Sequence, residues 1–337
     1  PAAPPRTHEE CTMTTTPGLA APVSAPEDAP AAAPPRKGLR RDGLAGFLMA
    51  GPAVLLLVLF VAVPFFAAIG FSFYNVRLGD PRDPAFMGLT QYARIFTDPD
   101  VSSRFLSALL HNLVFAAVVV PVQTALALAL AMLVQRSIRG IGIFRSVFFL
   151  PVVFPIALVA LIWRLILARG DQGLLNALLG FFSGGSFGAQ DWLGSELTAL
   201  ASVIVLSIWQ GVGFQMVILL AALQQVPADL YEAARLDRAN AWQRFVHVTL
   251  PGINTTLVFV ALYTMILSLR VFDQIYVLAR SGGGLNEDAT RTVMYEAVTS
   301  AFDENNIGRA SAISVVFFVI VVVLSLIQRR ATRERED

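Results

Sequence analysis

Six long apolar stretches, residues 44–73, 105–134, 146–168, 197–223, 253–278 and 310–327, leave this chain few ways to fold. The shortest has 18 residues, and at a rise of ~1.5 Å per helical residue it covers most of the ~30 Å of hydrocarbon in a bilayer. Lipid offers no hydrogen bonds to the backbone, so a spanning segment must satisfy its own amides, which a helix does internally. The expected fold class is therefore an all-α polytopic membrane protein with six transmembrane helices. Composition agrees, because 55% hydrophobic and 15% charged residues with a mean hydropathy of +0.64 are too apolar for an ordinary soluble domain. Pro151 and Pro155 fall in the first half of the third stretch, where proline is tolerated if neighbouring helices re-satisfy the freed carbonyls.

The segments between the stretches set the orientation. Arg36, Lys37, Arg40 and Arg41 precede the first stretch, which is too long for a cleaved signal sequence and is followed by more spans. Six spans place both termini on one side. With the loops 135–145 and 226–252, that side carries fourteen Lys and Arg residues from Arg36 onward, against eight on the other. The excess marks the cytoplasmic side, which leaves 74–104, 169–196 and 280–309 outside. Residues 1–35 are rich in Ala, Pro, Thr and Ser, a composition expected to stay disordered because it cannot bury enough surface to offset the ordering entropy. The expected organisation is a disordered cytoplasmic tail over 1–43, a transmembrane domain over 44–328 with the cytoplasmic loop 226–252, and a short cytoplasmic tail over 329–337. Met13 is an alternative first residue to Pro1.

Several chemistries are excluded. Cys11 is the only cysteine, and His8, His111 and His247 lie on different segments, so neither an intrachain disulfide nor a metal cluster is expected. Lys37 is the only lysine, outside any Gly-rich Gly-Lys-Ser/Thr sequence, so a phosphate-cradling loop cannot form. No catalytic group, cofactor or nucleic-acid partner is expected, and any energy from ATP has to come from another subunit.

The loop 226–252 is the one long charged interruption with a helical pattern of its own. Pro227 suits the first position of a helix, and Asp229 and Glu232 fall in its first turn, where the helix dipole favours negative charge. Leu230, Ala233 and Ala234 share one face; Trp242, Phe245, Val246 and Thr249 repeat that spacing after residues 238–241, and Pro251 marks the end. Two short amphipathic helices set at an angle on the membrane surface are expected.

Glu232-Ala233-Ala234, Asp237 and Leu250-Pro251 resemble the "EAA" cytoplasmic loop of ABC-importer permeases. The resemblance implies that this loop docks in a cleft of a separate ATPase subunit, through Glu232, Ala233, Ala234, Asp237, Arg238, Leu250 and Pro251. Arg238 stands where the family usually has Gly, and since Arg takes positive φ only at a cost, Asn240 is expected to carry the turn. An interfacial amphipathic helix without a partner is the plainer alternative. Ile162-Trp163-Arg164, Gly173-Leu174-Leu175-Asn176, the run 271–278 and Gly282-Gly283 are similar to the carbohydrate-uptake subfamily, such as the maltose and glycerol-phosphate systems. Gly284 replaces a proline frequent in that subfamily. The resemblance covers about residues 44–330 and implies a multi-pass permease in a bacterial or archaeal plasma membrane. Its implied partners are an ATPase subunit dimer, a second permease subunit and an extracytoplasmic solute-binding protein; its implied cargo is a sugar or sugar-like solute.

Polar residues within the spans are pathway or packing candidates. Gln210 and Gln215 suit a sugar, since amides hydrogen-bond hydroxyls and the Trp209 face can stack on a pyranose ring. Asp273 and Gln274 lie near the outer end of the fifth stretch. Inter-helix hydrogen bonding explains a mid-span Gln equally well, and Arg164, Arg270 and Asp273 can instead reach outward or, for the last two, pair at i, i+3. Gly308, Ala310, Ser311 and Ser314 form a small-residue packing face, within the chain or toward a second permease. An ion-coupled secondary transporter is the alternative function, and it would need mid-membrane carboxylates, whereas Asp273 is the only clear one. A membrane-embedded enzyme ranks third.

Overall fold

A computed structural model describes residues 39–79, 84–135 and 140–333. Residues 1–38 of the expected tail, with Arg36 and Lys37, and Arg136, Arg139 and residues 334–337 lie outside the described residues. The chain divides into two units, residues 1–58 and 59–337. In the first, helix α1 (Leu39–Leu57) begins within the segment expected as tail and contains Pro52. Among the described residues, five helical stretches, beginning with Leu48–Phe71, are long and apolar enough to cross a membrane, and a sixth is obtained if one bent pair counts as a single span.

The second unit opens with α2 (Val63–Phe71) and a short antiparallel pair, β1 (Tyr74–Asn75) and β2 (Ala85–Phe86). Helices α3 (Thr90–Thr97) and α4 (Pro99–Val134) follow. The Asp98 side chain accepts the Asp100 N–H at 3.2 Å, with Pro99 at the first helical position. This cap starts α4 six residues before the apolar stretch does, and ~54 Å of helix outruns the bilayer.

The third stretch is not one helix. Helices α5 (Ile141–Val153) and α6 (Ile156–Ile166) meet at 100°. Pro151 stays inside α5, whereas Phe154, the residue before Pro155, is extended at φ −77°, ψ 140°. Steric conflict with the following proline ring disfavours helical geometry there. Helix α7 (Leu174–Phe182) lies in the next loop, and α8 (Glu196–Gln225) matches the fourth stretch.

Helix α9 (Ala228–Leu236) is the first loop helix. The second expected short helix does not end at Pro251. Instead, α10 (Ala241–Arg244) passes through a wide π-turn, Phe245–Thr249, into α11 (Leu250–Leu269). Pro251 sits in the first turn of α11, just after the Leu250 N–H bonds to the Phe245 carbonyl, and the wide turn takes up the proline that a regular helix would have to break for. The fifth stretch is interrupted at Arg270–Phe272, and α12 (Asp273–Arg280) resumes it. Two further short helices, α13 (Glu287–Thr290) and α14 (Val293–Phe302), lead to α15 (Ile307–Arg333).

Helix α8 packs on α4, α5 and α11. Its contact with α5 is backbone to backbone, since a Cβ on Gly213 would collide with the Phe148 carbonyl oxygen. Small residues allow this approach where lipid supplies no hydrophobic drive between helices. At the loop end the core holds Ala127, Ala131, Met216, Leu219, Leu223 and Ile253; at the other end it holds Phe115, Val203, Leu206, Ile275 and Tyr295. A third cluster joins Ile95, Phe105, Leu269, Ile313 and Phe317. The small-residue face of α15 serves intra-chain packing: Ala310 and Ser311 are buried, and a Cβ on Gly308 would strike the Tyr74 carbonyl oxygen.

Candidate functional sites at the loop and at two helix breaks

The corner after α9 is closed by hydrogen bonds, not by glycine. Arg238 itself takes the left-handed conformation, φ 56°, and Asn240 does not. The Arg238 N–H bonds the Arg235 carbonyl at 3.0 Å and the Ala239 N–H bonds the Ala234 carbonyl at 2.9 Å, the Schellman closure of a helix end. Those bonds offset the ~1 to 2 kcal/mol that positive φ costs a residue with a Cβ. Asn240 instead starts α10: its Oδ1 accepts the Gln243 N–H, and Gln243 Oε1 accepts the Asn240 N–H, both at 2.8 Å. The Tyr231 and Thr249 hydroxyls bond at 3.1 Å and tie α9 to the π-turn.

No residue of α9 is buried. Leu236 is 85% and Trp242 69% exposed, which gives the loop an apolar outer surface. Ala233, Ala234 and Asp237 share a hollow of about 440 Å³ with Leu230, Gln243 and His247. Glu232 stands exposed beside it. Leu250 is half-buried against the loop-end core and Pro251 is exposed, so these two residues sit at the foot of the span and not in the hollow.

Inside the bundle, both helix breaks open onto one cavity of about 390 Å³. Gln123, Ser207, Gln210, Thr264, Ser268, Arg270, Asp273 and Gln274 supply its polar lining, with Phe115 and Phe272 among the apolar walls. Gln210 Nε2 donates to the Phe154 carbonyl at 3.4 Å, an oxygen freed by the bend, and Gln274 Nε2 donates to Ser207 Oγ at 3.0 Å. A Cβ on Gly211 would collide with the Gln123 amide, so glycine there makes room for it. Gln210, Asp273 and Gln274 thus line one cavity.

Two pathway candidates lie elsewhere. Trp209 packs edge-on to Trp163 with centroids 5.8 Å apart. Gln215 is 2% exposed and donates to Thr264 Oγ1, so it holds a cavity-lining residue from behind. Arg164 donates to the carbonyl of Ser281, the residue that closes α12. Arg270 and Asp273 both line the cavity, and no ion pair joins them among the described residues.

Sequence reasoning missed Asn112 and Glu296. Fully buried Asn112 donates from Nδ2 to the Leu269 carbonyl at 2.8 Å, and its Oδ1 accepts the Val293 N–H at 2.9 Å. It therefore caps the end of α11 and the start of α14. Its signal was an amide inside the 105–134 stretch, where only Gln residues of other spans were weighed. Glu296, 1% exposed, meets Arg291 at 2.8 Å and Arg104 at 3.7 Å. Burial disfavours the Arg291 charge, but Glu296 and then Asp288 outweigh it and raise its pKa above the ordinary value. The signal for Glu296 was a carboxylate set among apolar residues, 293–298, in a segment read as outer loop.

Membrane-length helices around a polar cavity, with an exposed amphipathic corner at one end, define a membrane transport subunit. Residues 101–335 match the family described as "Binding-protein-dependent transport system inner membrane component". The chain belongs to that family: it is a multi-pass permease of the inner membrane, itself no enzyme, and ATP is hydrolysed on a separate subunit. It is 32% identical over 290 residues to the osmoprotective compounds uptake permease protein GgtC of Synechocystis, covering 85% of this chain and 98% of that one. To the trehalose/maltose transport system permease protein MalF of Thermococcus litoralis it is 29% identical over 297 residues, covering 88% and 96%. In fold it resembles a chain of the bacterial alginate ABC transporter solved with an alginate pentasaccharide-bound periplasmic protein, with a TM-score of 0.75, 18% identity, and coverage of 88% and 96%.

Proposed function

We propose that this permease carries a sugar or sugar-like solute past Gln210, Asp273 and Gln274, and that the corner from α9 to the foot of α11 docks on its ATPase subunit. The observation that carries the solute reading is the cavity at the two helix breaks, where amides, hydroxyls, one carboxylate and the Arg270 guanidinium converge at membrane depth with aromatic walls. Carboxamides and hydroxyls are the groups that pair with sugar hydroxyls, and polar groups at that depth are costly unless they are used. The names of MalF and of the alginate transporter support the same solute class. Gln215 holds the wall through Thr264, and Trp209 flanks the path.

Docking on the ATPase requires the corner to face the cytoplasm. The reading therefore includes both termini inside, the transmembrane domain over 44–328 and tails over 1–43 and 329–337. In a Cys11→Ser background expressed without its partners, cysteine substituted for Leu236 is expected to react with an impermeant maleimide only from the cytoplasmic side. Cysteine substituted for Ser186 is expected to react only from outside. Both positions are exposed, and the reverse labelling pattern would end the docking reading.

A further inference from the structure

A second cavity lies between the end of α4 and the corner, about 390 Å³ in volume and distinct from both sites above. Arg235 of α9 and Arg244 of α10 line it with Tyr231, Gln135, Met132 and Phe245. No carboxylate lines it, and neither guanidinium makes an ion pair among the described residues. Two unpaired arginines converging on one hollow repel each other, and an anion between them removes that cost. The guanidinium fork suits phosphate oxygens, which it can hold through two parallel N–H donors.

The position adds a second constraint. Helix α4 ends at Val134, where Leu133 is 65% and Met132 37% exposed, and Met132 shares the cavity lining with both arginines. A ligand seated here has its anionic group at the membrane surface and an apolar wall of Met132 and Phe245 beside it. We propose that this cavity binds the phosphate headgroup of an anionic phospholipid, whose acyl chain follows the outer face of α4. Basic pockets at the surface ends of spans have the charge and depth for such headgroups. Lipid held here would brace α9 and α10 at the angle the corner needs. The site rests on the membrane placement of the chain and not on docking to the ATPase.

The test uses the full chain in detergent micelles. Native mass spectrometry would compare retained phosphatidylglycerol with phosphatidylcholine in wild type, Arg235→Gln, Arg244→Gln, the double variant, and Arg238→Gln, which removes one charge from the same corner but lines no part of the cavity. Wild type and Arg238→Gln are expected to retain phosphatidylglycerol preferentially, with a loss of about fivefold for each cavity arginine removed. Arg235→Lys with Arg244→Lys should restore part of the preference and separates lost charge from lost fold. Added inorganic phosphate distinguishes the sources: quenching or enhancement of Trp242 fluorescence by phosphate alone, with no lipid preference, assigns the site to a soluble phosphate anion and overturns the lipid. Equal retention of both lipids by wild type, or an equal loss in Arg238→Gln, also overturns it.

Discussion

Ala233→Trp is expected to abolish uptake while the protein remains inserted at its normal abundance. Ala233 lines the hollow of the corner, where only small side chains leave room for an incoming surface. Overpacking a tight contact costs ~1 to 3 kcal/mol, and α9 buries none of its own residues, so the bulk of an indole falls on the partner and not on the bundle. Glu232→Lys should act in the same direction and more weakly, because it reverses an exposed charge on the corner while the helix itself is unaffected. Leu197→Ala, at an 89% exposed position of α8, is the control. Uptake, solute-stimulated ATPase activity and membrane abundance would be measured together. Normal uptake in both corner variants at normal abundance would reduce the corner to a surface helix.

Glu296→Ala is expected to give the largest loss of stability among single substitutions outside the spans. The carboxylate is 1% exposed and Arg291 15%, with Arg104 on its other oxygen. Removing it leaves the mostly buried Arg291 with the 92% exposed Asp288 as its partner, and deleting one partner of a buried pair costs ~3 to 5 kcal/mol. Glu296→Gln keeps an acceptor for Arg291 and should lose less. Asp303→Asn, at a carboxylate 47% exposed beside Arg280, should cost at most ~1 kcal/mol, as exposed pairs do. Thermal unfolding in detergent would rank the three. An unfolding midpoint for Glu296→Ala equal to that of Asp303→Asn would mean that water reaches Arg291 and that the cluster is not a buried one.

The spans were legible because length and apolarity are one-dimensional properties, and 197–223 and α8 differ by at most two residues at either end. The breaks were not. Pro151 and Pro155 look alike in sequence, yet only Pro155 ends a helix, and it does so where the Phe154 carbonyl finds Gln210 on another helix. The interruption at Arg270–Phe272 contains no helix breaker, and its exposed carbonyl at Leu269 is satisfied by Asn112 from α4. Both depend on partners more than fifty residues away along the chain. The corner shows a local misjudgement: the cost of positive φ at Arg238 was read correctly, but the Schellman bonds that offset it were not counted. Gln210, Asp273 and Gln274 were found as polar residues at membrane depth, whereas only the fold could show that Gln215 faces Thr264.

Reconstitution in liposomes tests the division of labour most directly. The chain would be studied alone and assembled with the ATPase, the second permease and the solute-binding protein, with a labelled disaccharide outside. Uptake is expected only from the complete assembly supplied with ATP, and none from the chain alone under a proton or sodium gradient. Gradient-driven uptake by the chain alone, without an ATPase, would contradict a passive permease path and make it an ion-coupled carrier.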